Sequence, residues 1–221
     1  MRAPLVAARG GHIHQHMVGT LEEFFRREEN GRGAYLSRLF ASFSEEIVRH
    51  WAACDEAPFR DVGRPVLWDE DARRYHVLDF TLERRSEGSR FVTEMKCEIQ
   101  FEGYRYLMLE DAEQIEHHAG GAAFQKLLRL ARDPTDLRVT VAGHPQVIAG
   151  AALVWGATTD AGIASAVERF GFSEVLSLEH ILRDLAEWQS ESWREWLGTR
   201  RRWSDELFEW LAYAPRLSAD S

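Results

Sequence analysis

Tyr75-His-Val-Leu-Asp-Phe-Thr-Leu-Glu-Arg-Arg85, Ser86-Glu-Gly-Ser89 and Arg90-Phe-Val-Thr-Glu-Met-Lys-Cys-Glu-Ile-Gln-Phe-Glu102 run consecutively, and their alternation decides the fold. In the first run Leu78, Phe80 and Leu82 share one face, and Asp79, Thr81 and Glu83 the other. In the second, Phe91, Met95, Cys97, Ile99 and Phe101 oppose Glu94, Lys96, Glu98, Gln100 and Glu102. Two period-2 runs joined by a short polar loop predict an antiparallel hairpin. A loop of residues 86–89 pairs Arg85 with Arg90, which sets Asp79 opposite Lys96 and Thr81 opposite Glu94. That register puts both polar faces on the same side, as the hydrophobic pattern independently requires.

On this register Asp79 and Glu94 are diagonal neighbours, with Cβ atoms roughly 7 Å apart or less. Carboxylates at that spacing can share a hard divalent cation, Mg²⁺ or Mn²⁺, and Lys96 reaches the same spot. The lysine is unusual here. Of 27 basic residues only Lys96 and Lys126 are lysine, so nearly every other positive charge is written as Arg. Arg cannot deprotonate, whereas Lys is a compact donor whose pKa can shift. The competing reading of the same pattern is a set of charges on the solvated face of an antiparallel sheet.

Outward from the hairpin, residues 1–16 read as a leader, with His12, His14 and His16 alternating before Met17. Thr20-Leu-Glu-Glu23 has the form of a capping box and predicts a helix running to the Asn30-Gly31 stop. One helix over 34–53 places Leu36, Leu39, Phe40, Phe43, Ile47 and Trp51 on a single stripe. A short strand is expected at Val66-Leu67-Trp68, a helix over about 110–132 with a restart near Gly120-Gly121, and buried strands at 138–142 and 147–155. Thr159-Asp160 caps a helix to about Phe170, and Glu174-Val-Leu-Ser177 reads as a last strand. The division is then a leader at 1–16, an α/β domain at 17–185, and a Trp-rich helical tail at 186–221 packed on it. Gly198 and Arg200-Arg-Arg202 are expected to split that tail into two helices.

The acidic pair, the lysine and the order of elements together resemble the PD-(D/E)XK nuclease superfamily, the restriction-endonuclease-like fold. Its common core runs αβββαβ, with an aspartate on the second strand and Glu-x-Lys on the third. Asp79 and Glu94-Met95-Lys96 match that motif over roughly residues 34–185. Leu78 stands where the motif proline would be, and Arg129 replaces the tyrosine of the Gln-x-x-x-Tyr that some branches carry after Gln125. The resemblance implies a mixed α/β fold and Mg²⁺- or Mn²⁺-dependent DNA cleavage, endo- or exonucleolytic. It implies Asp79, Glu94 and the Met95 carbonyl as metal ligands and Lys96 as the residue that activates water. Glu45 or Glu46 from the preceding helix, Gln100 on the same strand face, and Gln125 are the further candidates. DNA is the implied partner, with a homodimer left open; Arg73, Arg74, Arg84, Arg85, Arg90 and Arg105 are candidate phosphate contacts.

Composition narrows the alternatives. A net charge of −9 and a pI near 5.5 exclude a protein that coats nucleic acid through bulk charge, though not a local basic cleft. Cys54 and Cys97 are the only cysteines, so there is no disulfide framework and no CxxC zinc site. No apolar run reaches the ~18 residues that span a bilayer, and a cytoplasmic protein is expected. His117 and His118, read as adjacent on a helix, diverge by about 100° and so are not expected to share a metal. Two other readings remain at this point: a nuclease-fold binding module without catalysis, and an acidic, immunity-like partner-binding α+β protein.

Overall fold

The computed structural model describes residues 20–68 and 74–217; the expected leader and Arg73 lie outside them. In chain order the elements are α1 (Leu21–Arg26), α2 (Arg32–Ala41), α3 (Ser44–Ala53), β1 (Phe59–Asp61), β2 (Pro65–Trp68), β3 (Tyr75–Val77), β4 (Phe80–Arg84) and β5 (Arg90–Lys96). A 3-10 turn (Phe101–Tyr104) leads to β6 (Met108–Leu109), α4 (Glu113–Glu116), α5 (Ala122–Arg132), β7 (Arg138–Val141) and β8 (His144–Gln146). The chain closes with β9 (Gly150–Trp155), β10 (Ala157–Thr158), α6 (Asp160–Phe170), β11 (Glu174–Ser177), α7 (Leu178–Glu187) and α8 (Glu191–Leu217).

The fold is mixed α/β. Its main sheet has five strands in the order β1-β4-β5-β9-β11, the first two junctions antiparallel and the last two parallel. Helices cover both faces. On one, Phe80, Leu82, Phe91, Ala152 and Val154 pack against Ile47, Val48 and Trp51 of α3 and Leu178, Ile181 and Leu185 of α7. On the other, Val92, Ala151, Leu153 and Trp155 pack under Phe124, Leu127 and Leu128 of α5 and Ala166 and Phe170 of α6. Burying each such Leu, Val or Phe contributes about 1.5–3 kcal/mol, and two covered faces explain why all six residues of β9 are buried. Trp51 Nε1 also donates to Asp184 Oδ2 at 2.8 Å, tying α3 to α7.

Read through the main sheet, α3, β1, β4, β5, α5 and β9 give the αβββαβ order. The strand at 66–68, expected as the first of that core, belongs instead to a separate four-stranded sheet, β3-β2-β7-β8. The three-residue β1 takes its place beside β4. The expected strand 75–85 is therefore two strands in two sheets, bent at Leu78-Asp79, and the expected strand 90–102 ends at Lys96.

Pairing runs Phe80 to Thr93 and Glu83 to Arg90, so the connection between the strands is Arg85–Ser89 and the register is two residues off the expected one. A shift of two keeps every side chain on its expected face, because strand side chains alternate with period two. It brings position 79 level with Glu94 rather than Lys96.

Other boundaries were corrected by local breaks. The helix expected over 34–53 is α2 and α3, interrupted at Ser42-Phe43, where Phe43 leaves helical geometry. The capping box of α1 is present in both halves, Thr20 Oγ1 accepting from Glu23 N and Glu23 accepting from Thr20 N. The tail is one continuous 27-residue helix, α8, not two. Trp193 is buried in the core and Trp196 packs beside it, whereas Trp203, Leu207, Phe208, Trp210 and Leu211 are exposed. Among the described residues, no helix is long and apolar enough to cross a membrane.

Candidate functional site

Asp79 sits at the bend where the chain leaves the small sheet and enters β4. Pairing between β4 and β5 stops at Phe80 and Thr93, so the next β5 amide facing that edge, from Met95, has no strand partner there. Asp79 Oδ2 accepts it at 2.8 Å. The carboxylate thus completes the sheet edge and is fixed beside Glu94.

Glu94 lies in mid-sheet between β4 and β9 and is only 8% exposed. Lys96 Nζ donates to Glu94 Oε1 at 2.6 Å. The second oxygen, Glu94 Oε2, is buried and, among the described residues, has no donor other than the neighbouring Asp79 carboxyl. Phe124 of α5 roofs this point, its ring centroid 5.9 Å from Lys96 Nζ. The alternative of a solvated sheet face does not hold here: Thr81 and Val92 are fully buried, Val92 beneath α5 and α6.

Two carboxyls placed together under a roof are hard to ionise. Burial pushes Asp79 above the ordinary carboxylate range, the Met95 amide opposes the shift, and the charge of Glu45 adds to it. Burial also raises Glu94, reinforced by the charge of Asp79 and opposed by Lys96. A buried oxygen with no donor but a second carboxyl is an arrangement that a divalent cation satisfies. The donors are hard oxygens, so the pair fits Mg²⁺ or Mn²⁺ better than a soft-ligand metal.

The structure gathers only some of the expected site residues. Asp79, Glu94 and Lys96 share one face, with Met95 contributing its amide to Asp79. From α3, Glu45 rather than Glu46 is the carboxylate whose charge reaches Asp79; Glu45 is held by Arg49 at 2.9 Å and by Arg64. Glu46 turns to Arg49 at 2.8 Å on the more exposed flank of the helix. Gln100 is off the strand, exposed, and stands against Gly33 of α2. Gln125 is on the exposed side of α5, while Lys126 beside it is 8% exposed. Glu46, Gln100 and Gln125 are thus not brought to the pair.

The hairpin arginines lie at its other end. Arg84 pairs with Glu174, Arg85 donates to the carbonyls of Ala52 and Cys54, and Arg90 pairs with Glu83. By strand rise they stand roughly 15 Å along β4 and β5 from the carboxylate pair. Arg64, which the sequence reading passed over, is the guanidinium whose charge does reach Asp79.

The expected divergence of His117 and His118 is not found. The helix before them is the single turn α4; His117 is its C-cap and His118 lies in the turn that follows, so the pair does not stand on one continuous helix. Their ring centroids are 3.8 Å apart. His117 Nε2 is 2.7 Å from Glu98 Oε2, and His118 Nε2 is 3.8 Å from the same oxygen. Burial, with His117 and Lys96 nearby, pushes His118 down to about 4.

No family model, no curated protein and no solved structure matches this chain.

Proposed function

We propose that the protein is a Mg²⁺- or Mn²⁺-dependent phosphodiesterase acting on DNA, of the PD-(D/E)XK type. The observation that carries the reading is Glu94, one oxygen buried beside Asp79 with no other donor and the other joined to Lys96. The αβββαβ order of elements around that pair, with the aspartate entering the second strand and Glu-x-Lys on the third, supports it.

Asp79 and Glu94 are the residues that would hold the cation. Bound there, it would polarise a phosphoryl oxygen and acidify a water. Lys96 is held in place by Glu94 and is 25% exposed at its side chain, so its ammonium can orient the attacking water or offset charge on the phosphoryl oxygens. Phe124 sets an apolar ring beside Lys96, its centroid 5.9 Å from the ammonium, which lowers the local polarity and strengthens these charge interactions. Glu45 and Arg64 border the pair and set its field.

The test is a panel of supercoiled plasmid, linear duplex and single-stranded DNA incubated with Mg²⁺ or Mn²⁺. Wild type is expected to cleave at least one member, and Glu94→Gln and wild type in EDTA to cleave none. A folded wild type that cuts nothing on the panel overturns the enzyme reading. If it also binds no divalent cation, a nuclease-fold binding module takes its place.

A further inference from the structure

We propose that Glu98, His117 and His118 form a second metal site, for a borderline transition-metal ion of the Zn²⁺ class. It is separate from the Asp79–Glu94 pair and does not rest on the nuclease reading. One donor atom from each of the three residues lies within 4.8 Å of the others.

His117 is already oriented as a ligand. Its Nδ1 is 3.0 Å from the carbonyl of Gln114, which can only accept, so Nδ1 carries a hydrogen and, in the neutral ring, Nε2 keeps its lone pair. That lone pair faces Glu98 Oε2 at 2.7 Å, so a proton or a cation must lie between two acceptors. A proton on His117 would settle that contact alone. It would do nothing for His118, whose side chain is only 10% exposed and whose buried Nε2 has no hydrogen-bond partner among the described residues, yet lies 3.8 Å from the same carboxylate oxygen. A cation satisfies all three atoms together.

The geometry needs little adjustment. Metal–ligand bonds of about 2.0–2.1 Å at tetrahedral angles set donors about 3.3 Å apart. The observed 2.7 and 3.8 Å to Glu98 bracket that spacing and the two histidine donors lie within 4.8 Å, so shifts of up to about 1.5 Å, within the range of side-chain motion, close the site. Two imidazoles and one carboxylate suit Zn²⁺, Co²⁺ or Ni²⁺, not the all-oxygen sites of Mg²⁺. Lys96, the positive charge that reaches His118, is held by Glu94. The rings are wedged by Tyr106 at 4.2 Å from His117 and by Trp155 at 5.7 Å from His118, which fixes their orientation.

Such an ion joins Glu98, two residues beyond Lys96, to the turn after α4. It would therefore clip the long connection between β5 and α5 and steady the end of the strand that carries Lys96.

The test uses the full chain with His12→Ala, His14→Ala and His16→Ala, which removes the other histidine cluster. Co²⁺ is titrated by visible absorption and then displaced with Zn²⁺, with thermal unfolding followed in parallel. One equivalent of Co²⁺, a Zn²⁺-dependent rise in Tm, and loss of about 100-fold or more in affinity on His118→Ala are expected. Because His118→Ala also empties a core position, Glu98→Gln serves as the mild second variant and should lose affinity with its circular dichroism unchanged. Absence of Co²⁺ and Zn²⁺ binding in this background overturns the proposal. So does affinity unchanged in both variants, or binding lost in Asp79→Asn and kept in His118→Ala.

Discussion

Asp79→Asn is expected to stabilise the metal-free protein while destroying its response to divalent cations. Asn keeps an oxygen to accept the Met95 amide now held at 2.8 Å, so the sheet edge stays closed. Weakening that bond from a charged to a neutral one costs about 1 kcal/mol. Against this, the substitution removes a carboxylate whose ionisation burial and the Glu45 charge both oppose, and relieves the repulsion that raises Glu94. Two unit charges ~4 Å apart at an effective dielectric constant of 20 repel by about 4 kcal/mol, part of which Lys96 and Arg64 cancel. The net gain is on the order of 1 kcal/mol, or about 2–4 °C in Tm for a chain of this size.

The pH dependence identifies the cause. A carboxyl whose pKa is raised by folding binds its proton more tightly in the folded state, so folding loses stability as pH rises from the unfolded pKa through the folded one. The advantage of Asp79→Asn over wild type should thus be present at pH 7 and vanish below about pH 4. Differential scanning calorimetry at both pH values, with and without Mn²⁺, measures it. At pH 7 Mn²⁺ should raise the Tm of wild type and leave that of Asp79→Asn nearly unmoved. A variant less stable than wild type at pH 7, or equally stabilised by Mn²⁺, would refute the reasoning and make Asp79 a plain structural cap.

Four further substitutions test the frame around the site. Gly162→Ala would set a Cβ 2.1 Å from the carbonyl oxygen of Leu109, so α6 must lift off β6, at a cost of about 1–3 kcal/mol by chemical denaturation. Ile47→Ala empties a fully buried position between α3 and the main sheet and should lower the unfolding free energy by about 2–5 kcal/mol in urea. Glu45→Gln should change Mn²⁺ affinity several-fold by isothermal titration, because its charge is felt at Asp79, whereas Glu46→Gln should leave it unchanged.

The hairpin was legible because alternation is a property of the strands themselves, and a register error of two leaves the faces intact. The site pair followed from those faces. What alternation does not mark is a change of sheet: Tyr75 to Arg84 keeps its period straight through the bend at Leu78-Asp79. β1 was missed because three residues after Pro58 carry no period at all, and its place in the sheet comes from pairing with β4. Gln100 was misplaced because polar alternation persists beyond Lys96, although the chain turns there into a 3-10 segment with Glu102 and Tyr104 at positive φ. The histidine pair was hidden by assuming a helix that stops one residue earlier. Its one sequence signal was Glu98, next in the alternation after Glu94 and Lys96.

The account stands on Asp79, Glu94 and Lys96 acting as one unit, and the rate of Mn²⁺-dependent DNA cleavage by Lys96→Ala tests this most directly. Lys96 is a partly exposed, face-mounted side chain, so the variant should fold and still gain Tm from Mn²⁺ held by Asp79 and Glu94. Its cleavage rate at saturating Mn²⁺ should fall by about 100-fold or more, the share a positioned charge-stabilising donor contributes. Cleavage by Lys96→Ala at the wild-type rate would contradict the account.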